Sequence, residues 1–319
     1  MVKIAVHYLI GIAFFLFVWV RRRQQLSWTT LLPVPLAILL FSYNLYSNQL
    51  YPMNAGTSRT FDGLLYFIDG GFGRQPSVVM AQLGRQLPWL RELSGWVYEA
   101  LRTALLITGA LHLGRRKYWQ VVATMTLIGT LGVLAYRLLP ACGPAYLLGD
   151  DCFYGTGTQC DYAGSGTVDM ELRFARNAFP SLHVAWVLII WWSFLGRRRV
   201  LVWSAFLFAV FTIAATLIYG EHYLVDVAAA FPFALAFWEL SFGRVAYGVA
   251  GAMGYFAWLI SLRFFPALFT FSPVIPWSAT LLSVVIPVWI VMAKSRQDLP
   301  DAPNTTEGQV TGALGGKSF

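Results

Sequence analysis

The sequence predicts an all-α protein, a polytopic bundle of about nine membrane-spanning helices. Of its 319 residues 57% are hydrophobic and only 12% are charged, and the mean hydropathy is +0.59. Soluble domains carry about 25% charged residues, so the composition excludes an ordinary soluble domain. Nine stretches have the roughly 17–25 apolar residues that a spanning helix needs. They lie near 4–20, 27–46, 94–113, 118–136, 179–195, 200–219, 223–240, 245–262 and 275–293.

Basic residues fall on one side of this predicted bundle. The net charge is +8, and five basic groups lie in short connections or directly after a span. Under the positive-inside rule such positions are cytoplasmic, and with nine spans all five share one side. The pattern argues against nucleic acid as a partner and predicts an integral membrane protein with a cytoplasmic C-terminus. The groups are Arg21-Arg22-Arg23, Arg115-Arg116-Lys117, Arg197-Arg198-Arg199, Arg244 and Lys294/Arg296.

The segments that flank the central spans differ in character. Apolar groups around Val79 and Trp89 are separated by polar residues, which predicts a helix lying in the membrane interface. The last residues are polar and poor in core residues, which predicts a disordered cytoplasmic tail. The predicted regions are 1–93 (two spans and an outer interfacial segment), 94–262 (the core), 263–295 (the last span) and 296–319 (the tail).

All three cysteines lie in the long Gly- and Asp-rich loop 139–178 on the predicted outer side. A disulfide is chemically permitted outside the cytoplasm, and Cys152 with Cys160 would close the shortest ring. Three cysteines cannot all pair within one chain. Three unpaired thiols, including Cys142, are therefore the alternative.

Two histidines and an aspartate lie at the outer ends of predicted spans. His222 and Asp226 are four residues apart, so they share one face of the seventh span. An aspartate that binds one imidazole nitrogen fixes the tautomer and leaves the other nitrogen as a nucleophile or base. His183, at the start of the fifth span, would be the complementary acid. Because ionisable groups at the edge of a bilayer are usually functional, we interpret all three as catalytic residues for phosphoryl transfer.

Three arginines lie close to these residues in the predicted topology. Arg173 and Arg176 precede His183, and Arg137 ends the fourth span. Guanidinium groups bind phosphate oxygens through paired hydrogen bonds, and a phosphoryl transition state needs such charge stabilisation. We predict that they bind the substrate phosphate, with no metal or other cofactor. A His/Asp pair at this spacing also fits metal ligation, and that alternative stays open. Interfacial arginines often extend toward lipid headgroups, which is the expectation for Arg85 and Arg91.

Two motifs resemble those of a known family. The stretch Phe179-Pro180-Ser181-Leu182-His183 is similar to the Pro-Ser-x-His motif of the type 2 phosphatidic acid phosphatase superfamily. His222-Tyr223-Leu224-Val225-Asp226 resembles that family's terminal His-x-x-x-Asp. The resemblance implies that His222 attacks phosphorus to form a phosphohistidine, Asp226 orients it, and His183 protonates the leaving group. It also implies a six-helix catalytic core over 94–262, and we add Ser181 to the predicted phosphate-binding residues.

The departures from the family pattern indicate a branch. The Ser-Arg that usually precedes the nucleophile is replaced by Ala215-Thr216, and the usual first motif, Lys-x6-Arg-Pro, is absent. The stretch from Tyr136 to Tyr146 is instead similar to the inositol phosphorylceramide synthase branch, which moves a phosphoinositol headgroup between lipids. This resemblance implies an inositolphosphotransferase-like enzyme.

Several functions fit these residues. The expected partners are the bilayer, a lipid phosphate or phosphoinositide-type donor, and a hydroxyl acceptor lipid or water. With water as acceptor the protein would be a lipid phosphate or polyprenyl diphosphate phosphatase. A non-enzymatic scaffold has no use for intact His183, His222 and Asp226. A transporter should carry its charges near mid-membrane at broken helices, whereas these charges lie at span ends.

The predicted topology can be tested by cysteine labelling. After replacement of the native cysteines, a single cysteine at Ser165 should react with a membrane-impermeant thiol reagent on intact cells, and one at Trp203 should not. The reason is that the basic loops hold the residue 203 end of its span inside. Labelling at residue 203 but not at residue 165 would invert the topology.

Overall fold

The computed structural model confirms the predicted all-α class. Within the described residues the chain forms thirteen α-helices, one 3-10 helix and one two-stranded sheet. The predicted second span, 27–46, and nearly all of the predicted tail lie outside the described residues. The described residues are 2–22, 58–113, 115, 117–154 and 162–297.

The helices follow the chain in three groups. The first group is α1 (Val2–Arg22), α2 (Asp62–Gly70), α3 (Pro76–Gln86), α4 (Pro88–Glu99), α5 (Leu101–His112) and α6 (Tyr118–Leu138). The long loop that follows contains α7 (Pro144–Leu148) and α8 (Asp150–Phe153). Its strand β2 (Val168–Asp169) pairs antiparallel with β1 (Arg59–Thr60). The last group is α9 (Leu182–Phe194), α10 (Arg199–Ile218), α11 (Leu224–Ser241), α12 (Val245–Phe264), the 3-10 helix Pro266–Thr270 and α13 (Val274–Gln297).

Five of the described helices are long and apolar enough to cross a membrane. They are α6, α10, α11, α12 and α13, and they correspond to the fourth, sixth, seventh, eighth and ninth predicted spans. The first predicted span falls within α1, which contains the apolar stretch Ile10–Arg21. The protein is therefore an integral membrane protein.

The third predicted span, at 94–113, is divided between α4 and α5. Helix α4 begins earlier, at Pro88, because a proline at the first helical position lacks only an N–H that would have no helical partner there. Ala100 joins the two helices in a helical conformation, and its N–H donates to the Trp96 carbonyl over 3.0 Å. The predicted boundary between residues 93 and 94 thus falls inside a helix.

The segment predicted to hold one interfacial helix contains α2, α3 and the start of α4. Helices α3 and α4 meet at Leu87 and both pack against α10. This segment is therefore part of the wall around α10.

The fifth predicted span, at 179–195, is a shorter helix of 13 residues, α9. Ser181 caps its start, where the Ser181 Oγ accepts a hydrogen bond from the Val184 N–H over 3.4 Å. Gly196 follows its end with a φ of +81°, a conformation that glycine adopts without steric strain. Almost every side chain of α9 is buried, so this helix lies inside the bundle.

Helix α11 is the central helix, and it contacts α6, α9, α12 and α13. It is buried almost throughout from Val225 to Glu239, as expected for a helix that is apolar on all faces. A Cβ at Gly251 of α12 would lie 2.5 Å from the Ala236 nitrogen. Glycine at this position therefore permits the close approach of α11 and α12.

Two carboxylates of α2 attach this helix to the end of the bundle where α9 and α11 begin, which we call the histidine end. Asp62 and Asp69 are seven residues, about two helical turns, apart and share one face. Asp62 accepts hydrogen bonds from the N–H groups of Cys142 and Gly143, at 2.9 and 2.8 Å, and from the Tyr223 hydroxyl at 2.9 Å. Asp62 thereby joins α2 to the long loop and to the residue that precedes α11.

Asp69 caps the start of α11. Its carboxylate accepts from the N–H groups of Leu224 and Val225, at 2.7 and 3.2 Å, two of the donors that a helix start leaves without a helical partner. Burial raises the pKa of the Asp69 carboxyl well above its usual range, while the Leu224 N–H, which favours the charged form, acts against the rise. The position of α11 thus depends on a carboxylate from the N-terminal part of the chain.

Removal of this cap should destabilise the protein. Asp69→Ala leaves two buried N–H groups without an acceptor, and each such loss costs about 1–3 kcal/mol. We expect a clearly lower midpoint of thermal unfolding, followed by tryptophan fluorescence in detergent. Asp151→Ala, at an exposed position, is the matched control and should leave the midpoint unchanged. Equal midpoints for the two variants would contradict the capping role.

Candidate active site

His222 lies in the short connection between α10 and α11. Its N–H and that of Glu221 both donate to the Thr216 carbonyl, over 3.3 and 3.1 Å. Gly220 has a φ of +63°, and a Cβ there would lie 2.5 Å from Cζ of Phe153. Only glycine fits this turn, which fixes His222 two residues before the start of α11. The His222 residue is 3% exposed.

The His222 ring is oriented mainly by a backbone carbonyl. Its Nδ1 lies 2.8 Å from the Ala178 oxygen and 3.6 Å from Oδ2 of Asp226. The first distance is that of a hydrogen bond and the second is too long for one. A proton on Nδ1 is therefore donated to Ala178, and Nε2 keeps a lone pair for attack on an electrophile.

Asp226 is used differently from the expectation that it directly binds the imidazole. Its Oδ2 accepts from the Tyr223 N–H over 2.8 Å, as part of the cap of α11. The carboxylate is fully buried and lies close enough to His222 for a charge interaction. Its catalytic role stays a prediction, and its geometry favours stabilisation of a positive ring over a direct hydrogen bond.

His183 lies in the first turn of α9 and faces His222. Their ring centroids are 6.2 Å apart, near enough for both rings to contact one phosphoryl group. The Tyr98 ring from α4 stacks on His183 with centroids 4.1 Å apart, and the Tyr98 hydroxyl lies 3.2 Å from His183 Nδ1. Tyr98 thus restrains the His183 ring through stacking and through its Nδ1.

Ser181 has a structural role in addition to the predicted phosphate contact. Its oxygen caps α9, and its N–H donates to the Asp226 carbonyl over 3.2 Å, which joins the starts of α9 and α11. If Ser181 also binds phosphate, its hydroxyl would donate the hydrogen bond. That part of the prediction is untested.

Arg176 is buried and organises the long loop. Its two terminal nitrogens donate to loop carbonyls, to Met170 over 2.9 Å, to Glu171 over 2.6 Å and to Phe174. Its Nε is buried and has no hydrogen-bond partner among the described residues. Arg176, one of the three predicted phosphate ligands, is therefore held by loop carbonyls, and its Nε–H remains available to an acceptor.

The other two predicted phosphate ligands lie in different surroundings. Arg173 is exposed, and its Nε lies 2.6 Å from the Glu171 carboxylate. Arg137 is exposed in the last turn of α6. The predicted clamp of three arginines thus comprises one buried side chain and two exposed ones, and their binding role stays a prediction.

Sequence reasoning missed several side chains at the site. Both carboxylate oxygens of Glu221 accept from the Tyr146 hydroxyl, at 3.2 and 3.3 Å. Burial raises the pKa of the Glu221 carboxyl above its usual range, while His222 and the Tyr146 hydroxyl act in the opposite direction. The position of Glu221 next to His222 was a usable signal. The sequence contains no comparable signal for Tyr98 and Asp62, because their contacts join residues that are far apart in the chain.

The cysteines of the long loop are in different states. Cys152 is disulfide-bonded, and Cys142 is a buried free thiol beside Asp62. Cys160 lies outside the described residues. The alternative of three unpaired thiols is wrong.

A comparison with known families accounts for this arrangement. A family model described as the PAP2 superfamily matches residues 65–240. The match covers more than half of the chain and includes His183, His222 and Asp226. No curated protein and no solved structure matches the chain. Together with the membrane helices and the paired histidines, the match shows that this protein belongs to the PAP2 superfamily.

Proposed function

We propose that this protein is a membrane-embedded phosphotransferase that works through a phosphohistidine on His222. Its donor would be a lipid phosphate or phosphodiester. The observation that carries the proposal is the His222 ring, whose Nδ1 is bound to the Ala178 carbonyl and whose centroid lies 6.2 Å from that of the His183 ring. Superfamily membership supports phosphatase-type chemistry on lipid phosphates in a membrane.

In the first step, Nε2 of His222 attacks the donor phosphorus. The Nε2–P bond forms as the bond from phosphorus to the leaving oxygen breaks. His183 acts as its imidazolium: Nε2 gives its proton to that oxygen and the ring is left neutral, so the leaving group departs as a neutral alcohol. The ring of phosphorylated His222 is positively charged, and Asp226, 3.6 Å from Nδ1, stabilises it.

In the second step, an acceptor hydroxyl attacks the phosphohistidine. Its O–P bond forms, the Nε2–P bond breaks, and the hydroxyl proton passes to Nε2 of His183. This returns both histidines to their starting states. Water or an alcohol can fill the acceptor position, so the acceptor pocket decides between hydrolysis and transfer.

The negative charge on the phosphoryl oxygens has two candidate partners. The N-terminus of α9, which carries His183, presents backbone N–H groups, and helix starts favour anions. The buried Nε of Arg176 has no partner among the described residues and needs an acceptor. Together they would replace the arginine that the Ala215-Thr216 sequence lacks.

The stretch between Tyr136 and Tyr146 supports a transferase, because it resembles the corresponding stretch of inositol phosphorylceramide synthases. This stretch borders the site, since Asp62 holds Cys142 and Gly143 while Tyr146 contacts Glu221. A phosphoinositol headgroup is the corresponding donor group. The alternative is a phosphatase that uses water in the second step.

The proposed site faces away from the cytoplasm. Two observations support this side, the basic loops at the opposite ends of the spans and the disulfide-bonded Cys152 in the loop at the histidine end. Disulfides persist in oxidising compartments and are rare in the cytosol. The C-terminus would then be cytoplasmic.

Replacement of the histidines should separate their roles. His222→Ala should abolish turnover of a lipid phosphate, because the nucleophile is lost. His183→Ala should lower turnover roughly 10²–10⁴-fold, the usual contribution of a general acid, and much less with an activated p-nitrophenyl phosphate. Rates are compared by phosphate release and product mass spectrometry. A His222→Ala protein with wild-type turnover would rule out the phosphohistidine.

Arg176 should contribute more to turnover than Arg173. Arg176→Lys keeps the charge but removes the Nε–H that would contact a phosphoryl oxygen, so we expect a roughly 10²–10³-fold lower kcat, as for one lost transition-state donor. Arg173→Lys should have a much smaller effect, because that side chain is exposed and bound to Glu171. The thermal unfolding midpoints of both variants are measured as a control, because Arg176 also holds the long loop in place.

One result would relocate the phosphate clamp. If Arg176→Lys turns over within a few-fold of wild type while Arg137→Ala is inactive, the clamp lies on α6.

A further inference from the structure

Glu221 and Tyr146 form a polar pair beside the nucleophile that the proposed two-step chemistry does not use. Glu221 directly precedes His222, and its carboxylate oxygens lie 3.2 and 3.3 Å from the Tyr146 hydroxyl. Both side chains are half-buried. They are therefore shielded from bulk water and remain open to a ligand.

The backbone holds this pair in place. Gly143 has a φ of +121°, and a Cβ there would lie 2.6 Å from the Glu221 carbonyl oxygen. The Ala145 N–H donates to the Gly220 carbonyl over 3.0 Å. The start of α7 thus packs directly against the connection that carries Glu221, so that Tyr146 and Glu221 keep one relative position.

The long loop contacts this pair through Tyr146. The Phe174 ring lies 5.0 Å from the Tyr146 ring, and the Phe174 carbonyl accepts a hydrogen bond from Arg176. Glu221 therefore lies next to His222, and its partner Tyr146 packs against the long loop.

A carboxylate in this position is a poor phosphate ligand, because a phosphoryl group on His222 carries the same sign of charge. It is a good acceptor for hydroxyl groups. The single Tyr146 proton is shared between two oxygens at long distances, so each oxygen keeps the capacity for a shorter hydrogen bond. The chemistry of the pair therefore fits a ligand that offers O–H donors.

We propose that Glu221 and Tyr146 form a subsite that binds a second hydroxyl of the acceptor, next to the hydroxyl that attacks phosphorus. The inference rests on the proposed phosphohistidine and adds the acceptor class to it. In the transfer step the attacking hydroxyl gives its proton to His183, and the second hydroxyl donates a hydrogen bond to Glu221. Glu221 neither gains nor loses a proton.

The acceptor class is thus an alcohol with two neighbouring hydroxyls, either a soluble polyol or a lipid alcohol. Water makes one of the two contacts at a time, and a simple alcohol lacks the second hydroxyl. The enzyme should therefore favour diols over both.

The test compares acceptors in which the second hydroxyl is present or is absent, either missing or esterified. Purified protein in detergent receives dioleoyl phosphatidic acid or phosphatidylinositol as donor. The soluble arm uses propane-1,2-diol against propan-1-ol, and the lipid arm uses 1-acylglycerol against 1,2-diacylglycerol. Mass spectrometry gives the ratio of transfer to hydrolysis, which does not depend on how fast the phosphoenzyme forms.

In at least one arm, we expect the ratio of transfer to hydrolysis of the wild-type protein to be about tenfold or more higher with the diol than with its single-hydroxyl partner. This is the size of effect expected for one hydrogen bond to a charged group. The arm with the preference identifies the source as a polyol or a lipid. Glu221→Gln, which keeps the shape and removes the charge, should bring the preference down to about two- to threefold or less. Tyr146→Phe should reduce it in part, and Glu92→Gln, at an exposed position on α4, should keep it.

Two results would overturn the subsite. One is a wild-type enzyme that transfers equally to both members of each pair, or only hydrolyses the donor. The other is a diol preference that survives unchanged in Glu221→Gln and in Tyr146→Phe. In either case a phosphohistidine detected on the same wild-type protein would leave the proposed function standing, whereas its absence would remove both.

Discussion

The histidine end of this bundle depends on the two carboxylates of α2. Asp69 binds the first two N–H groups of α11, and Asp62 binds the backbone at Cys142 and Gly143 together with the Tyr223 hydroxyl. Through these contacts one short helix sets the start of the central helix and the course of the long loop. Both carboxylates are buried, where a hydrogen bond is strong and an unpaired group is costly. The position of His222 follows from this arrangement, since the residue lies two positions before the start of α11.

Backbone groups then set the orientation of the His222 ring and the relative position of the two helices that begin at the histidine motifs. The Ala178 carbonyl fixes the His222 tautomer, and the Ala178 N–H is itself held by the Ala141 carbonyl over 2.9 Å. The Ser181 N–H donates to the Asp226 carbonyl. The starts of α9 and α11 are therefore joined through main-chain bonds, which substitutions of side chains do not remove. This rigidity brings His183 and His222 to face each other, as an in-line displacement at phosphorus requires.

Hydropathy and spacing predicted a large part of the fold. Most described spans lie within a few residues of their predicted positions, because twenty apolar residues leave few alternatives in a bilayer. The short α9 was overestimated because its cap at Ser181 and its end at Gly196 are set by local geometry within an apolar run. The histidines were found from their motifs. Tyr98, Asp62 and Asp69 were not, since each acts on residues 80 or more positions away. The arginine phosphate ligands were predicted from proximity in sequence. Proximity does not reveal that the terminal guanidinium nitrogens of Arg176 are bound to loop carbonyls.

The regiochemistry of the phosphoenzyme tests the central claim most directly. Nδ1 of His222 is bound to the Ala178 carbonyl, so only Nε2 is free to attack phosphorus. Rapid quenching of wild-type protein with a ³²P-labelled lipid phosphate, followed by digestion under alkaline conditions and isomer-resolved analysis, identifies the phosphorylated nitrogen. The account predicts an acid-labile phosphoryl group on Nε2 of His222. Phosphorylation at Nδ1 or at another residue, or turnover without any phosphohistidine, would contradict it.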